Sequence, residues 1–244
     1  MANPTAGFLV IGDEILSGRT KDVNVGYLAE QLTRAAIDLK EVRIVDDNHQ
    51  NIMAAVQALS QRWDHVFTSG GIGPTHDDIT ADAIAAAFDT PIDVREDARA
   101  LMAAHYQKAG VELNQARLRM ARIPDGASLI VNPVSFAPGF SLKNVHVMAG
   151  VPSVFQAMVD MVVPELKGGK ALISRTLKID RAEGDIAGPL ATIASAFPAV
   201  SIGSYPFHRA GRYGSNVVCR CSDRPLLDRV MAELKSTFPE GQEQ

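Results

Sequence analysis

The chain has 244 residues, 46% of them hydrophobic and 21% charged, with a net charge of −4. That range fits one large or two modest globular domains and excludes wholesale disorder. No apolar run approaches the roughly 18 residues of a membrane helix, and the start MANPTAGFLVIGDE lacks a basic segment ahead of a long apolar core. A cytoplasmic protein without a membrane span is therefore expected. The charge is uneven: residues 1–166 hold 13 Lys+Arg against 20 Asp+Glu, residues 167–244 hold 11 against 8. An acidic first part argues against a nucleic-acid binder.

Short apolar runs alternate with helical patterns from the start. Residues 8–11 read as a buried strand, and 24–36 as a helix with Val25, Leu28, Ala29, Leu32 and Ala36 at helical spacing. Residues 39–45 form a second strand, Ile52, Ala55, Val56 and Leu59 mark a helix, and residues 65–68 a third strand. Residues 78–88 are expected to be the next helix, with its acidic residues in the first turn, where they suit the positive helix end. Helices at 96–109 and 114–121, strands at 128–131 and 145–148, and a helix at 153–166 follow. The alternation predicts an α/β fold: a three-layer αβα domain with a mostly parallel sheet over residues 1–167.

Lys167-Gly168-Gly169-Lys170 reads as a linker, with the charge changing sign beyond it. The remainder, 168–244, has the order strand (174–179), helix (185–197), strand (200–204), strand (216–221), helix (225–238), a small α+β domain. Cys219 and Cys221 sit two apart in a strand, on one face, with neither zinc nor disulfide spacing, and read as reduced thiols.

The densest chemistry is TSGGIGPTHDDIT, residues 68–80. A strand runs into a glycine-rich turn whose amides form an anion-binding concavity, and a helix follows. The glycine spacing is neither that of a Walker loop nor that of the dinucleotide fingerprint. The first three strands end in Gly12-Asp13-Glu14, Asp46-Asp47 and the glycine turn with Asp77-Asp78. In a parallel sheet these ends share one edge, where ligands bind. Carboxylates beside a phosphate cradle call for a bridging cation such as Mg²⁺. Ala149 to Ser153 is either a second strand-to-helix anion cradle or, like the turns expected at Asn132-Pro133 and Pro138-Gly139, purely structural; His76 either touches the ligand or faces solvent, and His208 to Arg212 is either a plain hairpin or a donor to the site.

Four segments together resemble the molybdopterin-binding domain shared by CinA, MogA and MoaB proteins, closest to the CinA branch: GDEILSGRTKDVN (12–24), TSGGIGPTHDDIT (68–80), APGF (137–140) and AGVPSVFQAM (149–158). Residues after 170 resemble the small KH-like domain that follows it in CinA proteins, and the resemblance does not extend to the nicotinamide-nucleotide amidase domain of full-length CinA. It implies that Gly70, Gly71, Ile72 and Gly73 hold ligand phosphate, and Ser69, Thr75 and Gly150 are expected among the ligand-binding residues. It implies that Gly12, Asp13, Glu14, Asp22 and Asn24 border a pterin or nucleotide pocket. Asp46 and Asp78 match the family's functional aspartates, expected to be catalytic and to hold a divalent metal. Ile72 stands where MogA-type turns have threonine, which weakens a cofactor-synthesis reading.

What the resemblance implies about function is a metal-dependent hydrolase of a nucleotide or pterin-nucleotide pyrophosphate such as ADP-ribose, with molybdopterin as another candidate ligand and a homo-oligomeric state. The alternative is a molybdopterin- or nucleotide-binding module without catalysis. RNA binding through the tail ranks lowest, because the only GXXG-like letters, Gly211-Arg212-Tyr213-Gly214, fall between two strands rather than between helices.

Overall fold

The computed structural model describes residues 3–209 and 212–244, and the chain divides into two compact units, 1–169 and 170–244. The first runs β1 (Thr5–Ile11), α1 (Asp13–Leu16), α2 (Asn24–Arg34), β2 (Asp38–Val45), α3 (His49–Arg62), β3 (His65–Ser69), α4 (Thr80–Ala87), β4 (Ile92–Val94) and α5 (Glu96–Lys108). It continues with α6 (Gln115–Leu118), β5 (Arg122–Pro124), β6 (Ser128–Ile130), β7 (Gly139–Leu142), β8 (Val145–Met148) and α7 (Pro152–Val162). Six strands form one sheet in the order β2-β1-β3-β8-β7-β6.

The sheet is sandwiched because its central strands are apolar on both faces. Ala6, Phe8 and Val10 point to the side covered by α2 and α7, while Leu9 and Ile11 point to the side covered by α3 and α4. Phe8 stacks on Phe155 of α7 with ring centroids 5.6 Å apart. Each such fully buried side chain contributes roughly 1.5–3 kcal/mol. Helix α2 buries Leu28 and Leu32, and α3 buries Ile52, Ala55, Val56 and Leu59, the residues whose spacing marks these helices in the sequence. The Asn48 side chain caps α3 by accepting from the amides of Gln50 and Asn51. Pro152 opens α7 at a position where no amide hydrogen is needed.

Strands β2, β1, β3 and β8 are mutually parallel, and β7 pairs antiparallel with both β8 and β6. The sheet is thus mixed at one edge. Gly139, expected in a turn, instead starts β7, where a Cβ would lie 2.3 Å from the Val147 carbonyl oxygen. A short strand that opens on glycine carries no period for a sequence reading to find. The helix expected from residue 78 begins only at Thr80, and the short β4–β5 pair and α1 have no counterpart in the sequence reading.

The second unit contains β9 (Ile173–Ile179), α8 (Glu183–Ala196), β10 (Ser201–Arg209), β11 (Arg212–Cys221), α9 (Arg224–Thr237) and β12 (Gln242–Glu243). Its antiparallel sheet has the order β10-β11-β9-β12. Leu177, Ile179, Val217, Cys219 and Cys221 face one way and pack with Ile186 and Ile193 of α8 and Leu227, Val230 and Leu234 of α9. Both cysteines are buried and free, and burial pushes the Cys219 thiol up to about 11. Of the segment 208–212, His208 and Arg209 end β10, paired with Tyr213 and Arg212 of β11; Ala210 and Gly211 lie outside the described residues.

At the start of β8, His146 is buried between neighbours of similar polarity. Its Nδ1 is 2.9 Å from the Ser141 hydroxyl, and its Nε2 is 3.4 Å from Nδ1 of His65. Burial, and then the adjacent His65, push the His146 imidazole down from 6.5 to about 4. The neutral ring is what the fold accommodates. Above pH 6.5 the stability is therefore complete, and it declines as pH falls from 6.5 toward 4, because the unfolded chain gains a proton that the folded one refuses. The loss is expected to reach the order of 3 kcal/mol. Urea unfolding of the wild type and His146→Gln between pH 7.5 and 4 checks this: the wild-type midpoint falls across that window, and the variant's profile is flatter.

Candidate functional site

Strand β1 is followed by a connection to β2 on one side, and β3 lies on its other side, so the crossovers diverge between β1 and β3. A ligand crevice forms outside the carboxyl ends of parallel strands at such a point. A cleft of about 520 Å³ opens there, lined by Ile11 and Gly12 after β1, Asp47 after β2, Gly70 to Pro74 after β3, and Ala149 to Pro152 after β8. The loop before β7 closes one wall with Asn132, Ser135 and Ala137.

The glycines are dictated by the protein's own backbone. Gly70 has φ +107°, and a Cβ on it would lie 2.2 Å from the Ile11 carbonyl oxygen. Gly71 has φ +67°, and its Cβ would lie 2.1 Å from Thr80 Oγ1. A Cβ on Gly150 would come within 3.2 Å of the Gly70 Cα. These loops touch backbone to backbone, so a side chain at Gly70 or Gly71 would strain the turn itself. The Gly70 amide donates to the Met148 carbonyl, at 3.2 Å. The amides of Gly71, Ile72 and Gly73 have no hydrogen-bond partner among the described residues, and all three residues line the cleft. Unpaired amides in a turn of this kind attract anions.

One buried amide ties the floor together. Asn24, 4% exposed, donates from Nδ2 to Ser69 Oγ and to the Gly150 carbonyl, both at 2.9 Å, while its Oδ1 is buried without a partner. Three residues that the motifs mark as ligand contacts, Asn24, Ser69 and Gly150, thus bond to one another. Asp22, two residues ahead of α2, accepts from the Val25 amide at 2.8 Å.

The acidic residues divide into two groups. Glu14, Asp47, Asp77 and Asp78 line the cleft, and Asp13 adjoins them, its amide donating to Asp47 Oδ2 at 2.9 Å. Burial, together with the charges of Asp13, Glu14 and Asp77, raises the Asp47 carboxyl above the usual range. Asp46 does not line the cleft; Asn51 Nδ2 donates to its Oδ1 at 2.7 Å. The structure therefore does not bring Asp46 and Asp78 to one point, and it is Asp47 that turns toward the ligand space. Asp78 accepts from the Thr75 amide at 2.8 Å and from Thr75 Oγ1 at 2.5 Å, and its carboxylate packs where a Cβ on Gly73 would lie. It closes the turn rather than beginning α4. His76 faces solvent, its side chain 99% exposed.

The sequence reading misses Arg119. Its Nη2 donates to the Asp78 carbonyl at 3.3 Å, and it borders a small cavity of about 20 Å³ against Gly71, Ile72 and Gly73. Nothing in its neighbourhood, a short helical run about 40 residues after the turn, signals this. Substitutions that probe the floor are expected to rank by what the new atoms meet. Gly70→Ala, whose Cβ meets a carbonyl oxygen that cannot move aside, costs on the order of 3 kcal/mol. Gly150→Ala, whose Cβ would press within 3.2 Å of the Gly70 Cα and forces a shift of a few tenths of an ångström, costs about 1–2 kcal/mol, and Asn24→Ala loses two buried bonds at about 2–3 kcal/mol. Denaturant unfolding of the three variants checks the order.

A family described as a probable molybdopterin binding domain matches residues 7–168, and a FAD synthase middle domain matches residues 171–244. Among relatives, a CinA-like protein of Desulfosudis oleivorans is 33% identical over 209 residues, 81% of this chain and 51% of that one. A probable FAD synthase of Caenorhabditis elegans is 28% identical over 256 residues, 95% of this chain and 49% of that one. This chain spans about half the length of those two relatives, and 63% and 61% of two archaeal relatives at 34% and 35% identity. The crystal structure of CinA from Thermoplasma acidophilum, described as of unknown function, superposes with a TM-score of 0.59 at 32% identity, over 64% of this chain and 94% of that one. With the glycine turn, the Asn24 tie and the strand-end cleft all inside the matched residues, the chain belongs to the family of probable molybdopterin-binding domains and is CinA-like, and its residues 171–244 are similar to a FAD synthase middle domain.

Proposed function

We propose that this protein binds a molecule carrying a phosphoanhydride and hydrolyses that anhydride with a divalent cation such as Mg²⁺. The observation that carries the reading is the juxtaposition, around one cleft, of the partnerless amides of Gly71, Ile72 and Gly73 with the carboxylates of Glu14, Asp47 and Asp77. The amides suit phosphate oxygens and the charge that grows on them during transfer. The carboxylates alone repel phosphate. The volume, about 520 Å³, suits a nucleotide-sized ligand. ADP-ribose, FAD and adenylylated molybdopterin all share a pyrophosphate bridge, and that bridge is the chemistry the cleft selects. Met120, Ala137, Val151 and Pro152 give the remaining wall an apolar surface for a ring system.

The donor set fits a hard cation. Asp47 and Glu14 offer oxygen ligands, and the crowding that raises the Asp47 carboxyl is relieved by a positive charge beside it. Among the described residues no three His, Cys, Asp or Glu side chains group closely enough to hold a metal by themselves, so a cation held by Asp47 and Glu14 would need water and phosphate oxygens as further ligands, which suits Mg²⁺. When bound, the cation supplies charge neutralisation and polarisation of the phosphoryl oxygens. Asp78 holds the turn closed through Thr75, which keeps the amides fixed before the ligand arrives. The same lack of a protein cage favours a second reading, a binding module for such ligands without turnover.

Titration with ADP-ribose, with and without Mg²⁺, followed by assay for AMP, separates the two: binding without AMP under Mg²⁺, Mn²⁺ and Co²⁺ supports the module. For the hydrolase, Asp47→Asn is expected to lower Mg²⁺-dependent turnover about 10–100-fold while metal-free affinity holds or improves. Asp78→Asn instead weakens binding under both conditions and lowers stability by about 1–2 kcal/mol, because Thr75 loses its anionic partner. Unchanged turnover in Asp47→Asn would remove the acidic rim from the mechanism.

A further inference from the structure

The residues lining the cleft include no lysine or arginine, although its expected ligand carries at least two negative charges and its rim several more. Arg19 lines the adjoining space with Glu14, Asp47 and Asp77 but with none of Gly70 to Gly73, whereas Arg119 and Arg122 border Gly71 to Gly73. Arg119 borders a small cavity that shares Gly71, Ile72, Gly73, Asp78 and Met120 with the cleft, while Arg119 itself is not among the residues that line the cleft. Its Nη2 reaches the Asp78 carbonyl, 3.3 Å away, so it grips the segment that closes the turn. Its Nε is buried with no partner, as is that of Arg122, and Thr80 Oγ1 is buried and unpartnered beside Gly71. Arg122 is neutralised by an ion pair with Asp82, whereas Arg119 has no carboxylate partner among the described residues. A guanidinium there makes no direct ion pair, although Asp78 and Asp82 line the same cavity, and its field acts through the peptide groups of the turn in a medium less screening than water.

We propose that Arg119 is a positioning residue for phosphate: it fixes the glycine turn through the Asp78 carbonyl and supplies the positive charge that lets the turn hold a pyrophosphate against its acidic rim. This rests on the reading of the cleft as a pyrophosphate site. It assigns to one residue the task of making binding tolerable before any cation is bound, so the effect of removing it is largest in the absence of metal.

The test uses the full chain and inorganic pyrophosphate as the probe, by isothermal titration with EDTA or with Mg²⁺, at two salt concentrations. Arg119→Gln is expected to weaken metal-free binding about tenfold, the scale of one charge-assisted contact, with a smaller loss under Mg²⁺. Its affinity also depends less steeply on salt, as expected when a cation is removed from an anion site. Arg119→Lys keeps the charge and recovers most of the metal-free affinity; it also keeps the proposal testable should the glutamine variant fold poorly. Pyrophosphate binding by the wild type with unchanged affinity and salt dependence in a folded Arg119→Gln overturns the proposal. Equal losses in the glutamine and lysine variants, with no change in salt dependence, also overturn it, by reducing Arg119 to a packing role. No pyrophosphate binding by the wild type under either condition overturns the pyrophosphate reading of the cleft itself, and is distinguishable because it appears before any substitution is made.

Discussion

The site depends on a close approach of backbone to backbone at the ends of β1, β3 and β8. Gly70 lies against the Ile11 carbonyl, and Gly150 lies against Gly70. No side chain fits between them, so the three strand ends share one floor rather than three separate turns. Asn24 then locks that floor with two hydrogen bonds from one buried nitrogen, to Ser69 and to Gly150. A buried amide in a low-dielectric setting is a strong specifier when satisfied and costly when not. Its Nδ2 is satisfied and its Oδ1 is not, which leaves a buried acceptor beneath the site. This fixed floor holds the neighbouring Gly71, Ile72 and Gly73 amides in place without help from a ligand, and preorganised donors avoid the reorganisation cost of binding.

That arrangement creates an electrostatic conflict that governs the rest of the cleft. Amides that attract anions sit beside Glu14, Asp47 and Asp77, and the Asp47 carboxyl is already harder to ionise than usual because of burial and its neighbours. Four carboxylates converge here because parallel strands end on one edge and acidic residues follow three of them. A rim of that sign rejects simple anions. In the proposed reading a phosphate ligand would enter with a cation or with its charge balanced by Arg119, and the rim would then filter on charge state as much as on shape.

The fold was largely readable because its signals are periodic. The apolar stripes of α2 and α3 and the two-sided apolar run of β1 correspond to the buried faces. What escaped lacks a period. Strand β7 is four residues long and begins on glycine, and α4 starts two residues later than an acidic first turn suggests. The site was readable as a location, because motifs and strand ends coincide. The roles of its residues were less so. Asp46 and Asp47 are adjacent letters, and only the path of the chain after Val45 decides which one faces the cleft and which one binds Asn51. Asp78 looks like a helix-start residue in sequence but closes a turn with Thr75, because the chain makes a further bend before Thr80.

Arg119 marks the limit of motif reasoning more sharply. A motif lists residues that face a ligand, and this side chain faces the back of one. Its link to the turn is a single bond to a main-chain carbonyl, which any residue at position 78 would provide. Pattern reading is blind to such a contact, since the partner's identity is irrelevant to it. The physical consequence is nonetheless specific. A turn that presents amides on one side exposes carbonyls elsewhere, and a cation on those carbonyls stiffens the turn while its field extends to the amide side. In the proposed reading, the charge that offsets the acidic wall of the cleft comes from a side chain outside the cleft lining that reaches the turn through its main chain.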